Sequence, residues 1–130
     1  MTRTAHEIAA MPLTADQLLH ESLARIRETD LSGARALLAD GAILIDVREE
    51  SEHSASAIPG DRLVPRGVLE FDIGKHARPD EPVLLYCRSG RRSALAADTL
   101  QRLGYDRVWS LAGGILAWEA AGRPRLNTRL

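Results

Sequence analysis

Cysteine occurs once among the 130 residues of this chain, so no disulfide can form within it, and any disulfide or persulfide needs an external sulfur. The net charge is −1, which excludes a global field that would attract nucleic acid or an acidic membrane. The four histidines lack the spacing of metal ligands, and we expect no metal and no cofactor. The segment around the single cysteine carries most of the functional information in the sequence.

Long hydrophobic runs are also missing, since no stretch is long and apolar enough to span a bilayer. The N-terminal residues lead into no apolar core of the signal type, so we expect a cytoplasmic protein without membrane contact. The hydrophobic content of 45% and the charged content of 27% are typical of a globular protein. The length is enough for one domain with a real core.

What is present concentrates around the cysteine. The apolar run Val83–Tyr86 predicts a buried strand that delivers Cys87 to a polar loop, and a helix is expected from near Ser93. A thiol at that junction faces the positive end of a helix dipole and backbone N–H groups, and three arginines add positive charge. Each factor favours the thiolate. The pattern predicts a nucleophilic cysteine that acts on an anion.

The roles of the other loop residues have alternatives. Gly90 suits a backbone with positive φ or a close approach to a ligand. Arg88, Arg91 and Arg92 can hold an anionic donor through charge-assisted hydrogen bonds, or one of them forms a structural ion pair or points to solvent. We interpret Ser93 as a helix cap rather than a catalyst. A lone thiol is more often a core residue, but the polar residues directly after it favour a functional role.

Alternating helical and strand patterns predict an α/β domain. Thr14 and Gln17 form a capping box for a helix over about 14–28, and Ser32 is the predicted N-cap of a short helix to about residue 39. The segment 48–60 is polar and is predicted to be irregular. Strands are expected at 42–47, 62–65, 83–87 and 107–111, a helical turn at 68–73, and helices at 93–103 and 114–122.

This order predicts a mainly parallel sheet covered by helices on both faces. In open α/β sheets, ligands bind beyond the carboxyl ends of the strands. Asp46 and Cys87 both fall at such ends, which makes this edge the expected position of the site.

Four short motifs follow one another along the chain. They are Leu44-Ile45-Asp46-Val47-Arg48-Glu49, Ile58-Pro59-Gly60, Tyr86-Cys87-Arg88-Ser89-Gly90-Arg91-Arg92-Ser93 and Gly113-Gly114-Ile115-Leu116-Ala117-Trp118. In this order and at these separations they resemble the rhodanese homology domain of single-domain sulfurtransferases. The resemblance covers about residues 32–125, with residues 1–31 as a largely helical N-terminal extension and residues 126–130 as a tail.

The resemblance implies a five-stranded, mainly parallel sheet between helices and a sulfurtransferase activity. Cys87 would take a sulfane sulfur from a donor such as thiosulfate. The resulting persulfide would pass its outer sulfur to a thiophilic acceptor, for which cyanide is the usual substitute in assays. The expected partners are therefore a small-molecule sulfur donor and a thiol, cyanide or protein acceptor, with no nucleic acid.

By the same resemblance, backbone amides of the active-site loop surround the persulfide. The loop residues are Arg88, Ser89, Gly90, Arg91 and Arg92. Arg92 is expected to face inward, and Asp46, Arg48 and Ser93 to support the loop, although a surface salt bridge is an alternative for Arg48. The chain departs from the family at Ser56-Ala57, which replaces the usual glycine-histidine pair before the Ile-Pro-Gly turn. This departure concerns the local geometry and the acceptor side.

Two other functions are alternatives. Related phosphatases also hold a thiolate in an anion-binding loop, but five residues separate their cysteine from the arginine. Here Arg92 comes one step earlier and Ser93 takes that position, so we disfavour phosphatase activity. A low-turnover sulfur-carrier or sensing module would instead use a modified Cys87 to signal to a partner.

The N-terminal helix carries Leu19, Leu23 and Ile26 at helical spacing. These apolar side chains predict a face that packs back onto the domain, with docking or dimerisation as the alternative. We accordingly expect a monomer or a homodimer.

Overall fold

The structure, a computed structural model, describes residue 4 and residues 11–124. Its centre is a sheet of five parallel strands in the order β1-β5-β4-β2-β3. The strands are β1 (Arg27–Thr29), β2 (Ile43–Asp46), β3 (Arg62–Leu63), β4 (Val83–Tyr86) and β5 (Val108–Leu111). The predicted α/β class and the five-stranded parallel sheet are confirmed.

Six α-helices flank the sheet within the described residues. They are α1 (Ala15–Arg25), α2 (Leu31–Ala39), α3 (Glu50–Ala55), α4 (Leu69–Asp72), α5 (Arg91–Arg102) and α6 (Gly114–Ala120). Short 3-10 turns at Arg66–Val68 and Ile73–Lys75 bracket α4. Of the helices in this part of the chain, none has the length and apolar character needed to cross a membrane.

Strand β4 is buried along its whole length, and its side chains alternate between two cores. Leu85 packs in the core that contains Leu100 of α5, and Leu84 packs in the core that contains Ile115 of α6. Full burial of such a side chain stabilises a fold by about 1.5–3 kcal/mol. The strand that carries the cysteine is thus fixed from both sides.

Helix α1 begins at the predicted capping box but ends earlier than predicted. The helix stops at Arg25, and residues 27–29, the first two of which were predicted as helix, form β1 beside β5. Contacts with α5 hold the end of α1 in place. Ser22 Oγ donates to Asp98 at 2.9 Å, and Arg25 Nη2 binds the same carboxylate at 2.6 Å. The hydrogen bonds from Arg25 lower the pKa of Asp98. Tertiary contacts therefore override the helical pattern at its end.

Two other predicted elements differ from the structure. Asp30, rather than Ser32, caps α2, since its side chain accepts from the N–H of Gly33 at 2.8 Å. The segment predicted to be irregular contains α3, which buries no residue fully and so lacks an apolar period. Its signal is the reciprocal capping box of Glu49 and Glu52.

Candidate active site

The single thiol lies directly after β4, where the backbone turns into α5. Its Sγ accepts hydrogen bonds from the backbone N–H of Gly90 at 3.1 Å and from that of Ser93 at 3.3 Å. Ser93 Oγ lies 3.4 Å from the sulfur and 2.8 Å from Ser110 Oγ. Cys87 is 1% exposed, so these donors act in a site from which water is largely excluded. Cys87 thus belongs to the core that contains Leu85 and Leu100, but its sulfur also accepts hydrogen bonds from polar donors.

Gly90 allows the turn that places these donors. It is the N-cap of α5 with φ of 98°, which agrees with the positive φ predicted for it. The helix begins at Arg91, two residues before the predicted start. Ser93 therefore lies inside the first turn, and its interpretation as a helix cap is wrong. The N–H groups of Gly90 and Ser93, which have no capping side chain, donate to the sulfur instead.

A second helix start lies behind the cysteine loop. Gly113 and Gly114 have φ of 77° and 59°, and the N–H of Ile115 donates to the carbonyl of Cys87 at 2.9 Å. The next N–H of α6 donates to the carbonyl of Arg88 at 3.2 Å. A Cβ on Gly114 would lie 2.5 Å from the Cys87 oxygen and would also clash with the Arg88 carbonyl. These contacts fix the carbonyls of Cys87 and Arg88 against the start of α6.

The three loop arginines have different surroundings. Arg92 binds Glu52 of α3 through two hydrogen bonds of 2.7 and 2.9 Å, which lower the pKa of Glu52 to about 2 and raise that of Arg92. Arg91 pairs with Asp16 of α1 at 2.9 Å, and both side chains are exposed. Arg88 is exposed and has no ion-pair partner among the residues that the structure describes. Of the three loop arginines, Arg88 is thus the one whose charge has no ion-pair partner within the described part of the chain.

Asp46 and Arg48 form a buried ion pair, which rules out the surface salt bridge considered for Arg48. Arg48 Nη2 lies 2.8 Å from Asp46 and donates to the carbonyl of Ser56 at 2.6 Å. Burial is the largest single influence and disfavours the guanidinium charge, but the hydrogen bonds and charge attraction to Asp46 and Tyr86 together outweigh it and raise the pKa of Arg48. The hydroxyl of Tyr86 accepts from the N–H of Ile58 at 3.1 Å. These bonds fix the segment that contains Ser56-Ala57.

His53 and Asp61 complete this network. His53 Nδ1 lies 3.0 Å from Asp46 Oδ2 and 3.4 Å from Asp61 Oδ2, and the Tyr86 hydroxyl donates to Asp61 at 2.5 Å. Burial raises the pKa values of Asp61 and Tyr86. Two carboxylates and an imidazole within 4.8 Å are donors that a divalent cation can use, but Arg48 and Tyr86 already bind Asp46. The expectation of no metal stays a prediction.

Sequence reasoning missed the acidic partners of the loop and the histidine network. Asp16 is 75 residues from Arg91, and Glu52 is 40 residues from Arg92, so local spacing carries no signal for either pair. His53 and Glu52 are adjacent on α3, and they link the Asp46 network to the cysteine loop. The sequence predicted a helix from residue 114, but it gave no sign that Gly114 lies against the carbonyls of the cysteine loop.

Comparison with known proteins identifies the family. A family model described as the rhodanese-like domain matches residues 30–121. A protein of Allochromatium vinosum named sulfurtransferase is 35% identical over 101 residues, covering 76% of this chain and 94% of that protein. A thiosulfate sulfurtransferase of Pseudoalteromonas translucida is 34% identical over 80 residues, covering 61% of this chain and 74% of the relative.

Solved structures give the same result. A protein of Rhodopseudomonas palustris, described as of unknown function and a possible tyrosine phosphatase, superposes with a TM-score of 0.77 at 32% identity. The superposition covers 95% of this chain and 98% of that structure, so it extends into the N-terminal region. The resemblance read from the four motifs is confirmed. This chain belongs to the rhodanese-like domain family.

Proposed function

We propose that this protein is a sulfurtransferase that carries a sulfane sulfur as a persulfide on Cys87. The observation that supports the proposal most is the pair of backbone N–H groups, from Gly90 and Ser93, directed at Sγ. Such donors stabilise a negative charge on sulfur in a site with little water. The names of the relatives from Allochromatium and Pseudoalteromonas support sulfur transfer, and the second supports thiosulfate as a donor.

In the first half-reaction, the Cys87 thiolate attacks the outer sulfur of thiosulfate. A bond forms between Sγ and that sulfur, while the S–S bond of the donor breaks and its electron pair leaves on sulfite. No proton moves, so the step needs no general base. The negative charge ends on the outer sulfur of the persulfide, near the N-terminus of α5.

In the second half-reaction, cyanide or a thiolate attacks the outer sulfur. The persulfide S–S bond breaks, and its electron pair returns to Sγ, which restores the thiolate. The Gly90 and Ser93 donors then hold the same atom as at the start. The cycle returns Cys87 to the reduced state at each turnover, and we accordingly propose a reducing compartment such as the cytoplasm.

Steady-state kinetics test this proposal. Thiocyanate formation from thiosulfate and cyanide should give parallel double-reciprocal lines, as expected for a covalent intermediate. Cys87→Ser and Cys87→Ala should both lose the activity, which separates loss of the thiol from a packing change. Thiocyanate formation by Cys87→Ser, or intersecting lines, would contradict the covalent cycle.

The two alternative functions, a phosphatase and a carrier or sensing module, predict different results in activity assays. A phosphatase would hydrolyse an aryl phosphate in a Cys87-dependent manner, but Arg92 is bound by two hydrogen bonds to Glu52 and follows the cysteine one residue too early. A carrier or sensing module would also accept one sulfur per chain. Its kcat would lie far below the values of typical enzymes, which are about 1–1,000 s⁻¹. Comparison of the sulfur-loading stoichiometry with kcat separates the carrier from the enzyme.

A further inference from the structure

One aromatic side chain projects from the surface at α4. Phe71 is the only phenylalanine of the chain, and it is 85% exposed to solvent. Leu103, which follows α5, is 46% exposed and lines the same depression in the surface as Phe71. Exposed apolar residues that are scattered singly are ordinary, whereas several of them around one depression are typical of an interaction surface.

The depression beside Phe71 has a volume of about 400 Å³. Besides Phe71 and Leu103, its apolar lining comes from Ile73, Ala77, Pro79 and Tyr105. Gly74 also lines it, and a Cβ on Gly74 would meet no atom within 4 Å. We call the ring of Phe71 and the depression together the Phe71 face. A protruding ring and an unfilled depression thus lie side by side on one surface.

The charges of the segment 70–78, which supplies most of the Phe71 face, balance one another. Glu70 and Asp72 are its two carboxylates, and Lys75 and Arg78 are its two strong bases, so their charges sum to zero. A strongly acidic or strongly basic partner therefore gains little at this surface. A second copy of the chain meets no net repulsion, and in an antiparallel crossing its bases would face the carboxylates of α4.

The Phe71 face lies far from the reacting sulfur. Helix α5 begins at the cysteine loop and runs for 12 residues, which is about 18 Å, before it reaches Leu103. Tyr105 follows the end of the same helix, and Pro79 precedes β4. The face is therefore on the side of the amino ends of the strands, opposite to the cysteine loop. A partner that binds there leaves Cys87 accessible.

We propose that the Phe71 face is the interface of a homodimer with two-fold symmetry, in which Phe71 of each copy enters the depression of the other. A two-fold interface binds the same patch on both copies, so the patch must contain a protruding part and a receiving part. The Phe71 face contains both. Because each copy contributes one aromatic anchor, we expect a weak dimer with a dissociation constant of about 1–100 µM.

Sedimentation equilibrium of the full chain tests the proposal, at concentrations from about 1 to 500 µM that bracket this constant. Phe71→Ser should weaken the association at least about thirtyfold, the effect of removing one dominant interface side chain. Leu18→Ser is the control, because Leu18 is 45% exposed on α1 outside the face, and it should associate like the wild type. A wild-type chain that stays monomeric throughout, or a Phe71→Ser variant that associates equally well, would overturn the proposal.

A mixture of two variants tests the exchange of rings. Gly74→Gln keeps Phe71 but places a side chain in the depression, so it should also weaken the association. Neither variant alone can place a ring in a depression, whereas a heterodimer of the two retains one such contact. The mixture of Phe71→Ser and Gly74→Gln should therefore associate more strongly than either variant alone. A mixture that associates no more strongly would overturn the two-fold arrangement.

Neither substitution is expected to unfold the chain. Phe71 is exposed, and a side chain on Gly74 would enter open space at a φ that other residues adopt. Melting curves check the fold, and thiocyanate formation per chain should match the wild type because the face is distant from Cys87. A folded Phe71→Ser variant that stayed dimeric but lost sulfur transfer would overturn the assignment of this face as an interface.

Discussion

Two helices begin beside the cysteine loop, and both start from a glycine with positive φ, but they bind different atoms. The start of α5 directs the N–H groups of Gly90 and Ser93 to Sγ, whereas the start of α6 binds the carbonyls of Cys87 and Arg88. The unpaired N–H groups of a helix start thus serve the reacting sulfur in one case and the loop backbone in the other. This difference shows that the start of α5 binds the reacting sulfur, while the start of α6 holds the backbone of the cysteine loop in place.

The surroundings of the two starts differ as well. The first turn of α5 carries Arg91 and Arg92 at the positive end of its dipole, where cations are unfavourable. Asp16 and Glu52 compensate them from α1 and α3. The start of α6 is packed against backbone and needs no such partners. We therefore expect substitutions at α6 to affect stability and those at α5 to affect the chemistry.

The largest effect is expected for Gly114→Ala. The new Cβ would meet the Cys87 and Arg88 carbonyls, and φ is already 59°. We expect a loss of about 3 kcal/mol or more in unfolding free energy, with sulfur transfer lost in parallel. Urea denaturation measures the loss. Gly104→Ala is the control, because it has φ of 96° with open space around it and should cost only about 1–2 kcal/mol. Equal losses of unfolding free energy in Gly114→Ala and Gly104→Ala would contradict the role of α6 in holding the cysteine loop.

Gly90→Ala should lose less unfolding free energy than Gly114→Ala. Its loss of activity should be large in proportion to this loss of stability. Its φ of 98° nearly equals that of Gly104, and its Cβ would lie 3.1 Å from the N atom of Gly113. The shifted N–H would no longer be directed at Sγ, so kcat/KM for thiosulfate should fall about tenfold or more. Gly104→Ala, which imposes nearly the same φ without this contact, should retain its activity. Full activity in folded Gly90→Ala would show that this N–H is dispensable.

The smallest effect is expected for the ion pair between Arg92, in the first turn of α5, and Glu52. The pKa of Glu52 is lowered from 4.5 to about 2, chiefly by the hydrogen bonds from Arg92. The pair therefore stabilises the fold above pH 4.5, and this contribution is lost as the pH falls towards 2. Because both side chains are partly exposed, Glu52→Gln should cost less than about 1 kcal/mol at pH 7. Unfolding free energies at several pH values should show the deficit shrinking below pH 4.5.

Glu50→Gln is the control for this pH dependence, since Glu50 lies exposed on the same helix. It should show no deficit that disappears in acid. A deficit for Glu52→Gln that stays constant from pH 7 to pH 2 would mean that the Arg92 pair does not contribute to stability.

The parts of the fold that sequence predicts are those with local signals. The apolar runs in β2 and β4 and the capping box at Thr14 fix their elements through neighbouring residues alone. The loop around Cys87 was predicted for the same reason, because strand, turn and helix follow within a few positions. β1 was missed, since its helical pattern is overridden by pairing with β5, more than 70 residues away.

The partners at the site were less predictable. Asp16 and Glu52 meet the arginines only because the sheet order brings α1 and α3 to the carboxyl edge beside α5. His53 lies next to Asp46 because a polar helix, invisible to hydrophobic periodicity, replaces the predicted irregular segment. Such contacts depend on tertiary arrangement, which no spacing in one sequence encodes.

The most direct test of the sulfur-carrier role is the intact mass of the protein after exposure to thiosulfate. We predict that the wild-type chain gains the mass of one sulfur atom, that cyanide removes it, and that Cys87→Ser gains nothing. A wild-type chain whose mass is unchanged under excess thiosulfate and a small-molecule persulfide would contradict the proposed persulfide on Cys87.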